Sequence, residues 1–140
     1  MINKPMLILE DDVMIKNEEK NNIQLSIQDY NLNVKEPAIL YLQSTTPYGS
    51  GPKTKLKRYP QESLIKINSL YKVNNSHPDW SGTAAYVINP LAANKLLERC
   101  KTVGVRCVDG FIHRAIKENY INAYIPINYN QGIHLHPEYA

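Results

Sequence analysis

Three consecutive acidic residues, Glu10, Asp11 and Asp12, directly follow the apolar run Met6–Leu9. Such a run is typical of a β-strand buried on both faces, and open α/β sheets bind ligands beyond the carboxyl ends of their strands. Because residues two apart in an extended chain point the same way, we expect Glu10 and Asp12 to converge, with Asp11 opposed. Carboxylate pairs of this kind bind Mg²⁺ or Mn²⁺ together with substrate phosphates. Alternatively, Asp11 and Asp12 only cap and charge the next helix.

A second group of side chains suited to ligand chemistry lies in the segment 79–83. The indole face of Trp80 can stack on a sugar ring, and the carboxylate of Asp79 can accept hydrogen bonds from its hydroxyls. Gly82 and Thr83 are small enough to let a substrate approach the backbone closely. The structural alternatives are a tryptophan that fills the rim of the core and small residues that pack against a helix.

The surrounding segments predict the elements that position these residues. The segment 16–30 is mostly polar, but its few apolar side chains recur at helical spacing, which predicts a helix. Asn89-Pro90 is typical of the start of a second helix. A further helix is predicted from Asp109 to about Asn119. The predicted strands are Met6–Leu9, 37–42, 64–73, 82–88 and 122–125. Because strands alternate with helices, we expect an α/β fold with an open, mostly parallel sheet flanked by helices.

Composition limits the class of protein. With 140 residues, 43% of them hydrophobic, the chain has the length and composition of one globular domain. A net charge of +3 is too small to indicate a nucleic-acid partner. The sequence has no apolar run long enough for a membrane span or a signal peptide, so we expect a cytoplasmic protein. Residues 44–62 are expected to form a mobile basic loop, and 128–140 a polar tail.

Three segments carry a resemblance to a known family. They are Leu7–Val13 with its Glu-Asp-Asp motif, Gly82–Ile88 with Gly-Thr-x-x-Tyr, and Val108–Phe111 with a Val-Asp pair before a helix. In this order they resemble glycosyltransferase family 25, which includes lipooligosaccharide and collagen galactosyltransferases. The resemblance implies a GT-A type fold. It also implies inverting transfer of a sugar, galactose foremost, from a uridine diphosphate donor to a glycan or protein hydroxyl.

The resemblance also assigns roles to individual residues. Glu10 and Asp12 would hold Mn²⁺ (or Mg²⁺) against the donor diphosphate, with Asp11 near the donor sugar or ribose. Asp109 would act as the base for the acceptor hydroxyl or bind the acceptor, whereas its structural alternative is a helix N-cap. His134 would add a metal ligand, and its alternative is a solvated histidine in a frayed tail.

Family members carry a long segment before the Glu-Asp-Asp strand, whereas nine residues precede Glu10. The resemblance therefore implies a fold that is shortened at the N-terminus, with part of the donor site missing or supplied by another chain. We expect a homo-oligomer or such a completing chain. A sheet edge near Met6 would invite such pairing. The alternative function is a truncated, non-catalytic glycosyltransferase-like module for binding or assembly.

Overall fold

The computed structural model describes residues 3–42, 64–73 and 84–127, together with the backbone of 134–135. The predicted basic loop 44–62 lies outside the described residues, as do Trp80, Gly82, Thr83 and most of the tail. Within the described residues, no helix has the length and apolar character needed to cross a membrane.

Within the described residues, the helices lie close to their predicted positions, and two short strands that were not predicted, Val13–Met14 and His134–Leu135, accompany the predicted ones. A 3₁₀ turn at Asn17–Glu19 leads into the first helix. The helices are α1 (Lys20–Asn33), α2 (Pro90–Val103) and α3 (Val108–Lys117). The strands are β1 (Met6–Leu9), β2 (Val13–Met14), β3 (Ala38–Tyr41), β4 (Leu64–Ile67), β5 (Leu70–Val73), β6 (Ala85–Ile88), β7 (Asn122–Pro126) and β8 (His134–Leu135).

Six of these strands form one open sheet in the order β1-β6-β3-β7-β5-β4, and β2 pairs separately with β8. The prediction of a mostly parallel sheet is wrong, because β3–β7 is the single parallel pair among the described strands. Part of the reason is the segment 64–73, which forms an antiparallel hairpin instead of one strand. Asn68 adopts a positive φ of 52° in its turn, a conformation that asparagine tolerates better than most residues.

Helices cover both faces of the sheet. One core cluster joins α1 to the sheet through residues such as Tyr30, Leu40 and Val87. The cluster on the opposite face joins α2 and α3 to the sheet through Ile39, Leu96 and Ile116, among others. The four residues of β3 are all buried, as expected for a central strand between two helical layers.

β1 differs from its predicted environment. Met6, Leu7 and Leu9 are 45%, 47% and 42% exposed, so the expectation of burial on both faces is wrong. The reason is position, because β1 is an edge strand whose one partner among the described residues is β6. A short apolar run indicates a strand but does not show how far from the centre of the sheet it lies.

The pairing pattern places three strand ends at one edge of the sheet. β6 runs antiparallel to both β1 and β3, so β1 and β3 run in the same direction. β7 is parallel to β3 and shares this direction. The carboxyl ends of β1, β3 and β7 therefore meet at the edge where Glu10 follows β1.

Candidate active site at the carboxyl end of the first strand

Glu10 continues the ladder between β1 and β6. Its backbone N–H donates a hydrogen bond to the carbonyl oxygen of Ala84 at 2.8 Å. Ala84 directly follows the Gly82-Thr83 pair in the sequence, so this bond joins the acidic motif to the start of the Gly-Thr-x-x-Tyr segment. Two of the three motifs thus meet at the carboxyl end of β1.

Asp11 and Asp12 form a turn between β1 and β2. We expected Glu10 and Asp12 to converge because side chains two apart in an extended chain point the same way. That expectation has the wrong premise, because the chain turns at Asp11 and Asp12. The helix-capping alternative is also wrong, because β2 follows the acidic residues and the first helical turn begins only at Asn17. Neither the alternation of side chains along an extended strand nor helix capping explains the acidic motif.

Asp12 carries an unusual oxygen. Its Oδ1 atom is buried and has no hydrogen-bond partner among the described residues, whereas Asp11 is exposed. A buried carboxylate oxygen without a partner is unfavourable by about 1–3 kcal/mol or more. A cation or a ligand N–H group at this atom would remove that cost.

Asp109 lies in the first turn of α3, which begins at Val108. Cys107 occupies the N-cap position, and its side chain makes no capping hydrogen bond. The alternative that Asp109 is the N-cap residue is therefore wrong, because the N-cap lies two residues earlier in the chain. Its carboxylate still interacts favourably with the positive end of the helix dipole, and the residue is exposed.

Tyr86 connects the acidic motif with Asp109. This half-buried residue of β6 packs on the α2–α3 face of the sheet. Burial raises the pKa of its phenol, and the negative charges of Glu10 and Asp109 raise it further. The electrostatic influence of both carboxylates on one phenol makes Glu10, Tyr86 and Asp109 a candidate site, although they come from three different elements.

Sequence reasoning missed Tyr86 as a site residue. It counted the tyrosine only as part of a strand, although Tyr86 is the last residue of the Gly-Thr-x-x-Tyr motif. The signal that could have identified Tyr86 is a tyrosine in a motif of small residues. The hydroxyl of a half-buried tyrosine needs a polar neighbourhood.

His134 comes near the acidic motif through its backbone. β8 pairs antiparallel with β2, and His134 lies opposite Met14, two residues after Asp12. The alternative of a frayed tail is wrong for the backbone at this position. The metal-ligating role of His134 stays a prediction.

A preformed metal site is absent from the part of the chain that the structure describes. The described residues contain no group of three or more His, Cys, Asp or Glu side chains arranged to hold a metal ion. Mg²⁺ and Mn²⁺ sites in phosphate-transferring enzymes often use only one or two carboxylates, with substrate oxygens completing the shell. The unpartnered Asp12 oxygen fits such an open site better than a closed one.

Residues 2–112 match the family model described as glycosyltransferase family 25 (LPS biosynthesis protein). The match covers most of the chain and includes Glu10, Asp12, Tyr86 and Asp109. The chain therefore belongs to glycosyltransferase family 25. Comparisons with curated proteins and with solved structures found no match.

Proposed function

We propose that this family 25 domain transfers a hexosyl group, galactose foremost, from a uridine diphosphate sugar to a hydroxyl of a glycan or protein acceptor. Transfer proceeds with inversion and depends on Mn²⁺ or Mg²⁺. The observation that carries the proposal is the buried Oδ1 of Asp12, which has no hydrogen-bond partner among the described residues. The charges of Glu10 and Asp109, which both raise the pKa of Tyr86, also support it.

On the donor side, Glu10 and Asp12 would hold the divalent cation, which would supply positive charge for the diphosphate leaving group. The buried, unpartnered Oδ1 of Asp12 supports this role. Asp11 is exposed in the same turn and accepts hydrogen bonds from the hydroxyls of the donor sugar or ribose. The predicted roles of Trp80, Gly82, Thr83 and His134 belong to the same proposal.

On the acceptor side, Asp109 takes the proton of the attacking hydroxyl. The acceptor oxygen forms its bond to the anomeric carbon while the bond from that carbon to the diphosphate oxygen breaks on the opposite face. The phenol of Tyr86 has a raised pKa, so it stays protonated at neutral pH. It is therefore a hydrogen-bond donor in the site, placed to orient an oxygen of either substrate.

Calorimetric titration of uridine diphosphate, with and without Mn²⁺, tests the donor half of the proposal. We expect micromolar binding that depends on Mn²⁺ and that weakens at least about tenfold in Asp12→Asn. Glu18→Gln is the matched control, because Glu18 is an exposed acid six residues away and its loss should leave binding unchanged. Equal binding by Asp12→Asn and the intact chain, with both folded by circular dichroism, would contradict the proposal.

A transfer assay separates the two functions that the sequence left open. Release of uridine diphosphate from the donor sugar in the presence of acceptor glycans supports an enzyme, and its loss in Asp109→Asn assigns the acceptor side. Donor binding with no transfer to any acceptor would favour the non-catalytic binding or assembly module.

A further inference from the structure

A cleft of about 440 Å³ lies between the end of α2 and the start of α3. Three arginines from three different segments line it: Arg99 on α2, Arg106 in the connection and Arg114 on α3. This arginine cleft also includes Gly110, the residue directly after Asp109. It therefore begins in the same helical turn as the acceptor-side carboxylate.

The arginine cleft has an excess of positive charge. Glu118 forms ion pairs with Arg99 and, at 3.0 Å, with Arg114. Arg106 has no ion-pair partner among the described residues. The hydrogen bond from Arg99 lowers the pKa of Glu118 most, and although desolvation opposes it, the hydrogen bond from Arg114 and the charges of both arginines lower the pKa further, so Glu118 stays ionised. The three arginines that line the cleft thus have one ion-paired carboxylate between them, which leaves a surplus of two positive charges.

Arg99 has hydrogen-bonding capacity left over. Its guanidinium lies over the ring of Tyr120, with 5.1 Å from Cζ to the ring centroid, which holds the side chain in place. Its Nε atom is buried and has no hydrogen-bond partner in the described part of the chain. A buried donor without an acceptor is costly, and an anion in the cleft would supply one.

The start of α3 adds backbone donors to the same cleft. The N–H group of Phe111 is the first to bond within the helix, to the carbonyl of Cys107 at 3.0 Å, so the N–H groups before it have no partner inside the helix. Gly110 has open space in front of it, since a Cβ there would meet no atom within 4 Å. Helix starts of this kind favour anions.

We propose that the arginine cleft binds a phosphate monoester carried by the acceptor glycan, an inference that rests on the proposed glycosyltransferase function. A phosphate monoester carries about −1.5 to −2 charges and three acceptor oxygens at neutral pH. It matches the surplus charge and the several donors better than a carboxylate, which carries one charge and two oxygens. Because Gly110 follows Asp109, the bound phosphate places the acceptor beside its base.

Calorimetry on the full chain tests this site with glucose 6-phosphate, inorganic phosphate and glucose as probes. We expect glucose 6-phosphate to bind more tightly than inorganic phosphate, and glucose not to bind. Arg106→Ala should weaken glucose 6-phosphate binding about tenfold, or about 1.4 kcal/mol, because Arg106 is the cleft arginine without an ion-pair partner. Arg106→Lys should recover only part of the loss, since lysine lacks the planar fork of arginine.

Lys117→Ala is the matched control, since Lys117 is an exposed cation on α3 that does not line the cleft. Equal losses in Lys117→Ala and Arg106→Ala, or no binding of glucose 6-phosphate, would overturn the proposal. Inorganic phosphate binding as tightly as glucose 6-phosphate would overturn the assignment to an acceptor. Competition between glucose 6-phosphate and Mn²⁺-bound uridine diphosphate would assign the phosphate to the donor site instead.

The same experiment distinguishes failure of the cleft from failure of the proposed function. Uridine diphosphate binding should be unchanged in Arg106→Ala, because the donor residues lie at the end of β1 and not in the cleft. If the intact chain binds glucose 6-phosphate but not uridine diphosphate, the proposed transferase activity fails and the phosphate site stands alone.

Discussion

At the scale of single residues, Tyr86 reports on two carboxylates that lie far apart in the sequence. Its side chain is half buried on β6, while Glu10 ends the β1 ladder and Asp109 lies in the first turn of α3. Negative charge near a phenol disfavours the phenolate and raises the pKa. The titration of one tyrosine therefore measures whether the candidate site is assembled.

We predict that Glu10→Gln lowers the pKa of Tyr86 and that Asp109→Asn lowers it as well. In each variant, burial still raises the pKa, but one of the two negative charges that add to it is gone. The measurement is NMR titration of ring-labelled tyrosine, with Tyr86→Phe to assign the resonance among the ten tyrosines.

Glu18→Gln serves as the control for a general change in net charge, because Glu18 is an exposed acid in the 3₁₀ turn. If the pKa of Tyr86 were the same in Glu10→Gln as in the unmodified chain, the acidic motif would not be part of this site.

At the scale of elements, Glu36 joins three strands just before β3 begins. Its carboxylate accepts hydrogen bonds from Lys72 at 2.9 Å, from Asn122 at 2.6 Å and from the hydroxyl of Tyr124. Lys72 lies on β5, and the other two donors lie on β7. The centre of the sheet is thus held together at the side-chain level as well as by its backbone ladder.

We predict that the contribution of Glu36 to stability disappears in acid. Partial burial works in the opposite direction, but the contacts with Lys72, Tyr124 and Asn122 lower the pKa of Glu36 below its ordinary 4.5. A carboxyl whose pKa is depressed by folding stabilises the protein above its unfolded pKa, and that stabilisation is lost as the pH falls through the folded value. Urea denaturation at a series of pH values measures it.

At neutral pH, Glu36→Gln should lower the free energy of unfolding by about 1–3 kcal/mol, and the difference should vanish at the acid end of the series. Glu98→Gln is the comparison, because Glu98 pairs with Lys101 on an exposed helix surface and should change stability by less than about 1 kcal/mol. A loss in Glu36→Gln that did not depend on pH would show that the charge of Glu36 plays no part.

At the scale of the whole molecule, local signals in the sequence predicted elements better than their arrangement. Asn89-Pro90 predicted the start of α2, and the Asn89 side chain does accept a hydrogen bond from the Ala92 N–H at 2.9 Å. The family was also recognised from its motifs, as the match over 2–112 confirms. The relative direction of the strands could not be predicted, because an apolar run such as β1 or β3 does not indicate whether it pairs parallel or antiparallel with its neighbours.

In the candidate site, too, features with a local sequence pattern were predicted, whereas features that depend on contacts between distant segments were not. The acidic motif and Asp109 were visible because each has a distinctive local pattern. The turn at Asp11-Asp12 was not, since no glycine or proline marks it. The arginine cleft was also missed, because Arg99, Arg106 and Arg114 become neighbours only when the end of α2 packs beside the start of α3.

The edge position of β1 has a consequence for how the protein moves. Among the described strands, β1 is hydrogen-bonded to β6 alone, whereas β3 has neighbours on both sides. Local opening that releases β1 breaks one ladder and leaves the rest of the sheet intact, so the amide protons of β1 should exchange with solvent before those of β3 and β7. The acidic motif thus follows a strand that can open without disrupting the rest of the sheet.

Donor binding and the closing of the β1 edge of the sheet are then linked equilibria. A donor that binds only the closed edge, at one hundred times its dissociation constant, stabilises it by about 2.7 kcal/mol, which slows exchange about one-hundredfold. Hydrogen-exchange mass spectrometry with and without uridine diphosphate and Mn²⁺ measures this directly. Protection should appear in peptides that span β1 and be absent from those in β4, at the far edge of the sheet, whereas uniform protection would mean that β1 does not open separately.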